Sequence, residues 1–306
     1  MTAPSTLSQA PASAQPIPTV TRTRRSDTTW ARLRDTFTRN PLYLTGLIVA
    51  IAIVLIAIFA YQLAPYGYDA FNRRQPLKPP SATFWFGTDR QTRDMFSRVL
   101  VGARVTLSVG LVATTLIMTI GVVLGAIAGY FGGIVDNAIM RITDLVLAIP
   151  QFFLLIAVAA LFSPSLTTTM IVIGLTSWMS TARLVRGEFL RLKSQEYVLA
   201  ARALGSSPNR IVWRHIFPNT IPVIIVQATL WLSSAMLLES SLSFLGLGAQ
   251  PPTPSWGGML ANGRTEMQTA WWQTVFPGLA IFLTVIAFNL VGEGLRDALD
   301  PRSRRR

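Results

Sequence analysis

Six apolar segments, each long enough to cross a lipid bilayer, constrain this chain more than any other feature of its sequence. A helix rises about 1.5 Å per residue, so about 20 apolar residues cross the hydrocarbon core. None of the six contains Lys or Arg in its interior. Because lipid cannot satisfy backbone polar groups, each segment is predicted to be a helix. The predicted spans are Leu42–Ala64, Val105–Gly129, Leu145–Phe162, Leu166–Ala182, Thr220–Leu238 and Trp271–Val291.

Composition agrees with a membrane location. Apolar residues make up 51% of the chain and charged residues only 13%, and the mean hydropathy of +0.44 is outside the range of soluble domains. The third and fourth segments are separated only by Ser163-Pro-Ser165, which predicts a tight hairpin. The sequence therefore predicts an all-α membrane protein with six transmembrane helices.

The net charge of +13 raises the question of nucleic-acid binding. If the N-terminus is cytoplasmic, 19 of the 27 Lys and Arg residues fall on the cytoplasmic side, which satisfies the positive-inside rule. The same charges are attracted to anionic lipid headgroups. Because they are scattered over several loops and lack an aromatic platform, no nucleic-acid partner is predicted. Both termini are expected in the cytoplasm.

These spans and charges divide the chain into four predicted regions. Residues 1–40, rich at first in Ala, Pro, Ser and Thr, are predicted to be a disordered basic cytoplasmic tail. Residues 41–104 hold the first span, too long for the apolar part of a signal peptide, and an external loop. Residues 105–296 form a core of five spans with a basic loop at 187–217, and residues 297–306 form a basic cytoplasmic tail.

The basic loop reads as two short helices at the membrane surface. Glu196 to Leu204 is rich in Ala, Leu and Arg, which favour helix, and Gly205 supplies a left-handed stop. Ser207 is placed to cap a second helix that begins at Pro208 and ends before Pro218.

Apolar residues recur at helical spacing in both of these helices. They are Tyr197, Ala201 and Leu204 in the first helix, and Ile211, Val212 and Ile216 in the second. Two short helices with one apolar side each indicate a surface that a partner binds, and the alternative is an ordinary solvated helical loop.

The residues needed for catalysis are missing. The chain has no Cys, one His and only two lysines, Lys78 and Lys193, neither of which follows a glycine-rich phosphate-binding turn. His215 lies in the basic loop without metal-binding partners. Hence no enzyme activity, cofactor or metal site is predicted, and any ATP hydrolysis linked to this chain is expected on a separate protein. Secondary transporters usually show internal repeats and charged residues deep in their spans, and this sequence shows neither feature.

Two further features lie at the edges of the predicted spans. Gly121, Gly125 and Gly129 recur every four residues, a spacing that lets another helix approach closely. Glu239 follows the fifth span, about 19 residues after Thr220, which places it near the outer interface. It is interpreted either as a structural cap or ion pair, or as part of a gate or translocation path.

Four stretches of this sequence resemble a known family. Ala200, Ala201, Gly205, Ile216 and Pro218 match a pattern of roughly E-A-A-x-x-x-G followed by I-x-P, with Leu199 at the Glu position. The other stretches begin at Gly87-Thr-Asp, Gly129-Tyr-Phe-Gly-Gly and Gly292-Glu-Gly. In the first of these, Thr92 stands where Gly is usual, and the stretch is expected to be a loop held by ion pairs. Together they resemble the C-type permease subunits of dipeptide, oligopeptide and nickel ABC importers.

The resemblance implies a type I ABC importer permease fold in a prokaryotic plasma membrane. It further implies that the loop containing Leu199, Ala200, Ala201, Arg202, Gly205, Ile216 and Pro218 docks on an ATPase. The implied partners are a B-type permease subunit as heterodimer partner, two ATP-binding subunits and an extracytoplasmic solute-binding protein. Peptide is the first expected solute, with nickel, glutathione or another small solute as alternatives. The competing hypothesis is a secondary carrier or channel that works without ATPases.

Overall fold

A computed structural model describes residues 29–71 and 76–299, and the regular secondary structure within them is helical, apart from one isolated bridge between Thr88 and Asp94. Residues 1–28 of the tail predicted to be disordered, and residues 300–306 of the C-terminal tail, lie outside the described residues, whereas residues 29–39 form a helix. The helices are α1 (Thr29–Arg39), α2 (Pro41–Ile58), α3 (Ala60–Leu63), α4 (Met95–Phe131), α5 (Gly133–Leu147), α6 (Gln151–Ala159), α7 (Leu166–Thr176), α8 (Met179–Lys193), α9 (Glu196–Ala203), α10 (Pro208–Ile211), α11 (Phe217–Phe244), α12 (Trp256–Gly263) and α13 (Trp272–Leu299).

Local sequence signals set the ends of the long helices. The Asn40 side chain accepts a hydrogen bond from the Leu42 N–H at 3.0 Å, with Pro41 at the first helical position of α2. Asp94 caps α4 through the Ser97 N–H at 2.8 Å. Helix α4 ends at Gly132, whose φ of +69° is in the left-handed region that stops a helix.

Helix α4 is the centre of the bundle and packs against α2, α7, α8 and α11. Side chains from α4, α6, α7 and α11 form one apolar cluster around Val109, Ile117, Leu155 and Leu242. Long apolar side chains such as Leu145, Leu161 and Phe282 remain more than half exposed, as expected of a surface that faces lipid.

The all-helical membrane architecture is confirmed, whereas the predicted count of six transmembrane helices is not confirmed exactly. Four described helices are long and apolar enough to cross a membrane, and a bent pair supplies a fifth. The predicted third span is broken before Gln151, where α5 and α6 meet at 85°, because Pro150 cannot donate a helical hydrogen bond. The predicted fourth span is divided between α7 and α8 at Ser177, and α7 has only 11 residues.

The stretch between α3 and α4 is held by ion pairs, as expected. Asp89 accepts hydrogen bonds at Oδ1 from the backbone N–H groups of Gln91 and Arg93, at 2.9 and 2.8 Å. Its Oδ2 accepts from Arg93 Nε at 2.7 Å. Thr92, inside this turn, has a φ of +64°, which is the left-handed conformation that favours glycine. The turn therefore holds Thr92 in a conformation that is strained for a residue with a Cβ.

Candidate functional site

Helix α9 ends in a Schellman motif. The Gly205 N–H donates to the Arg202 carbonyl at 3.0 Å, and the Ser206 N–H donates to the Ala201 carbonyl at 3.1 Å. Gly205 has a φ of +77°, and nothing lies within 4 Å of the position a Cβ would take there. The turn therefore depends on the backbone conformation of Gly205 and leaves the space beside it open.

Beyond this turn, the chain does not form the separate second helix that was predicted to end before Pro218. Ser207 occupies the N-cap position of α10, but its side chain makes no capping hydrogen bond. Helix α10 passes through a π-helical turn, Val212–Ile216, directly into α11. Pro218 lies in the first turn of α11, where a missing N–H is tolerated. The wider π turn joins the surface helix to the membrane-spanning helix without a break.

The inner side of the segment 194–217, which we call the surface loop, packs on α8. Val198, Ile211 and Ile216 are buried, and they form one cluster with Val185, Phe189 and Leu192 of α8. The apolar side predicted for the second short helix, at Ile211, Val212 and Ile216, is therefore covered within this chain and is not a surface for a partner. Helix α8 covers them because it leads directly into the loop.

The outer side of the surface loop remains exposed. Leu204 is 87% exposed and Leu199 is 48% exposed, with Ala200, Arg202 and Ala203 exposed beside them. Ala201 is half-buried. Small and apolar side chains at the surface, next to one arginine, form a shallow patch that another protein can approach closely.

Helix α8 connects this loop with the glycine stripe of α4. Gly121, Gly125 and Gly129 face Thr181, Val185 and Phe189, respectively, and a Cβ at these glycines would lie 2.6, 2.9 and 2.6 Å from the Cβ atoms of those three side chains. The glycines thus give α8 direct contact with the α4 backbone. Phe189 belongs both to this contact and to the cluster beneath the surface loop.

Ion pairs hold α5 to α8. Arg186 Nη2 donates to Asp136 Oδ2 at 2.6 Å, and Arg183 Nη2 donates to Asp144 Oδ1 at 2.6 Å. The hydrogen bond with Asp136 raises the pKa of the Arg186 guanidinium. Arg141 lies at helical distance from both aspartates, but it forms an ion pair with neither of them in the described residues. The partners that they do have, Arg183 and Arg186, are 39 and 50 residues away from them, and no local spacing reveals such pairs.

Glu239 lies within α11 rather than at its end, since the helix continues to Phe244. The side chain is fully buried. Its Oε1 accepts from Ser243 Oγ at 2.7 Å and its Oε2 from Ser240 Oγ at 3.3 Å. No Lys or Arg in the described residues forms an ion pair with it. The Ser243 hydroxyl also accepts the Ala249 N–H at 3.2 Å, so Glu239 ties α11 to the loop that follows it.

In the described part of the chain, no group of three His, Cys, Asp or Glu is arranged to hold a metal ion. The described residues thus form a helical bundle, a surface loop with an exposed small-residue patch, and a helix, α8, that connects the two.

Comparison with known proteins gives similar sequences over most of the chain. The chain is 44% identical over 273 residues to a dipeptide transport system permease of Alkalihalophilus pseudofirmus, covering 89% of this chain and 90% of that one. It is 41% identical over 282 residues to an oligopeptide transport system permease of Bacillus subtilis, covering 92% of each. A glutathione transport system permease of Escherichia coli is 43% identical, with 90% and 91% covered.

The fold is similar to that of a chain of the methionine ABC transporter MetNI in an inward-facing conformation, with a TM-score of 0.55 and 19% identity over 67% of this chain and 97% of that chain. Residues 28–80 match the N-terminal transmembrane domain of oligopeptide transport permease C. Residues 121–305 match the inner membrane component of binding-protein-dependent transport systems. The chain therefore belongs to the family of binding-protein-dependent transport system inner membrane components.

Proposed function

We propose that this permease is one of two transmembrane subunits of an ATP-driven ABC importer for dipeptides or oligopeptides. The single observation that carries this proposal is the surface loop. Its inner face is fixed to α8, while Leu199, Ala200 and Leu204 remain exposed on its outer face. A loop of this kind offers a rigid docking surface to an ATPase and transmits the movement of that ATPase to the bundle.

The energy source is supplied by partner subunits. The chain has no lysine in a glycine-rich phosphate-binding turn. A complete importer contains this chain, a B-type permease, two ATP-binding subunits and an extracytoplasmic binding protein. The charge distribution favours a cytoplasmic surface loop, with both termini on the same side. The peptide assignment is supported by the names of relatives at 41–44% identity.

The test is affinity purification of the tagged full-length chain from its native membrane in a mild detergent. We expect an ATPase and a second permease to co-purify, and we expect the chain alone to bind no ATP. Dipeptide uptake by the reconstituted complex with its binding protein should depend on ATP hydrolysis and be inhibited by vanadate.

The competing hypothesis is a secondary carrier or channel. Solute flux through liposomes that contain this chain alone, driven by an ion gradient and insensitive to vanadate, would establish that function instead. Uptake of nickel or glutathione without uptake of dipeptides would leave the importer assignment intact and replace the peptide assignment.

A further inference from the structure

A polar cavity of about 400 Å³ opens at the end of the bundle opposite the surface loop. One wall comes from the turn at residues 89–98 before and at the start of α4, and the other comes from the end of α11, the following loop, α12 and the start of α13. Its volume is that of a small-molecule site. It shares no residue with the surface loop.

The floor of this cavity is rich in buried hydrogen-bond donors. Arg93 and Arg98 are 6% and 4% exposed, and Gln273 is 3% exposed. The Gln273 Nε2 is buried and has no hydrogen-bond partner among the described residues. A buried donor without a partner is unfavourable, so an acceptor within the cavity is expected.

Three arginines, Arg90, Arg93 and Arg98, and one aspartate, Asp89, line the cavity. Arg98 Nη1 donates to the Tyr68 carbonyl at 2.9 Å, and its Nε is 3.7 Å from Asp89 Oδ2. That carboxylate is already occupied by Arg93 and two backbone N–H groups. Arg90, at the rim, pairs with Glu266 at 3.2 Å. The buried guanidinium groups of Arg93 and Arg98 thus pair with the same carboxylate, that of Asp89.

We infer that this cavity binds the carboxylate group of a small peptide-like solute, with Gln273 and the two buried arginines as donors. A carboxylate supplies the acceptor that Gln273 Nε2 lacks and a second anionic partner for Arg98, whose Nε lies 3.7 Å from Asp89 Oδ2. Met259 and Ala249 give the same cavity apolar wall area for an aliphatic side chain. The inference rests on the proposed peptide-import function, because it names the part of the solute that this chain recognises.

The test uses the full-length chain in lipid nanodiscs, with L-alanyl-L-alanine and its C-terminal amide as probes. Binding is measured by saturation-transfer NMR. We expect the dipeptide to bind at least about tenfold more tightly than the amide, which has the same shape but lacks the carboxylate charge. Equal binding of acid and amide would overturn the inference.

Two substitutions of Gln273 give the assay its specificity. Gln273→Leu removes the donor and is expected to weaken dipeptide binding about tenfold. Gln273→Glu keeps the shape of the side chain but adds a negative charge, and it is expected to abolish dipeptide binding while retaining weak amide binding. The matched control is Gln268→Leu, at an exposed position before α13, and it should bind like the parent. Unchanged dipeptide binding by the folded Gln273→Glu protein would contradict the inference.

A second measurement separates this inference from the proposed function. In cells that carry the complete transporter, failure of the parent to take up dipeptides would remove the peptide-import assignment itself. If uptake is normal but the Gln273 variants lose affinity only for the solute-free binding protein, the cavity receives an acidic side chain of that protein, and the solute inference fails. If affinity for the solute-free binding protein is unchanged and the KM for dipeptide rises, the inference stands.

Discussion

Phe189 in α8 lies directly against the backbone of Gly129 in α4, where a Cβ on residue 129 would come within 2.6 Å of the Phe189 Cβ. Phe189 also packs with Val198 and Ile216 beneath the surface loop. The Phe189 side chain thus contacts both the central helix α4 and the apolar cluster beneath the surface loop, which is the candidate ATPase-docking surface. Any displacement of the surface loop must therefore either move α4 or break this contact.

The first prediction concerns this contact. Gly129→Ala should push α8 away from α4 and lower the free energy of unfolding by about 1–3 kcal/mol, with a loss of transport. The matched control is Gly187→Ala in the exposed part of α8, where nothing lies within 4 Å of the added Cβ. That variant should gain about 1 kcal/mol from helix propensity. Thermal unfolding in detergent measures the stability of each variant, and an uptake assay measures its transport. Equal stability of the two variants would contradict the close contact between α4 and α8 at Gly129.

Much of this architecture follows from local sequence signals, whereas its long-range pairings do not. The apolar segments, the caps at Asn40 and Asp94 and the stop at Gly205 depend on neighbouring residues, and the sequence reveals them. The 85° break before Gln151 could have been foreseen from Pro150. The partner of Asp136 could not, because Arg186 is 50 residues away and the pairing depends on how α5 and α8 pack.

That pairing gives the second prediction. Asp136→Arg and Arg186→Asp should each lower the free energy of unfolding by about 1 kcal/mol, a modest value because the Arg186 side chain is 32% exposed. The double variant, with the charges exchanged, should recover at least about half of the loss. The control is the exchange of Asp35 and Arg39, an exposed pair within α1, which should be nearly neutral. Additive losses in the Asp136–Arg186 cycle would show that the two groups do not interact.

The third prediction concerns Thr92, whose φ of +64° strains a residue with a Cβ. Thr92→Gly removes that strain, and after the entropy cost of glycine we expect a gain of about 0.5–1 kcal/mol. Thr92→Ala keeps the Cβ and should give no such gain. Melting temperatures of the two variants measure the difference. A lower melting temperature for the glycine variant than for the alanine variant would contradict the strain at this turn.

The fourth prediction concerns membrane orientation. Because the chain contains no Cys, single cysteines can be introduced at Ser207 in the surface loop and at Thr253 after α11. A membrane-impermeant maleimide added to intact cells should label Thr253→Cys. It should leave Ser207→Cys unmodified until the membrane is permeabilised. The opposite pattern would reverse the proposed topology.

The fifth prediction separates coupling from folding at Gly205. Its φ of +77° excludes proline, and a large side chain would fill the open space beside the patch formed by Leu199, Ala200 and Leu204. Gly205→Pro and Gly205→Trp are therefore expected to insert into the membrane but to lose most uptake and substrate-stimulated ATPase activity. Gly205→Asn is the matched control, because asparagine tolerates the left-handed conformation and projects little into that space. Its uptake should remain near that of the parent. Full coupling in the tryptophan variant would show that no ATPase docks beside Gly205, whereas loss of coupling in the asparagine variant would show that the turn requires glycine itself.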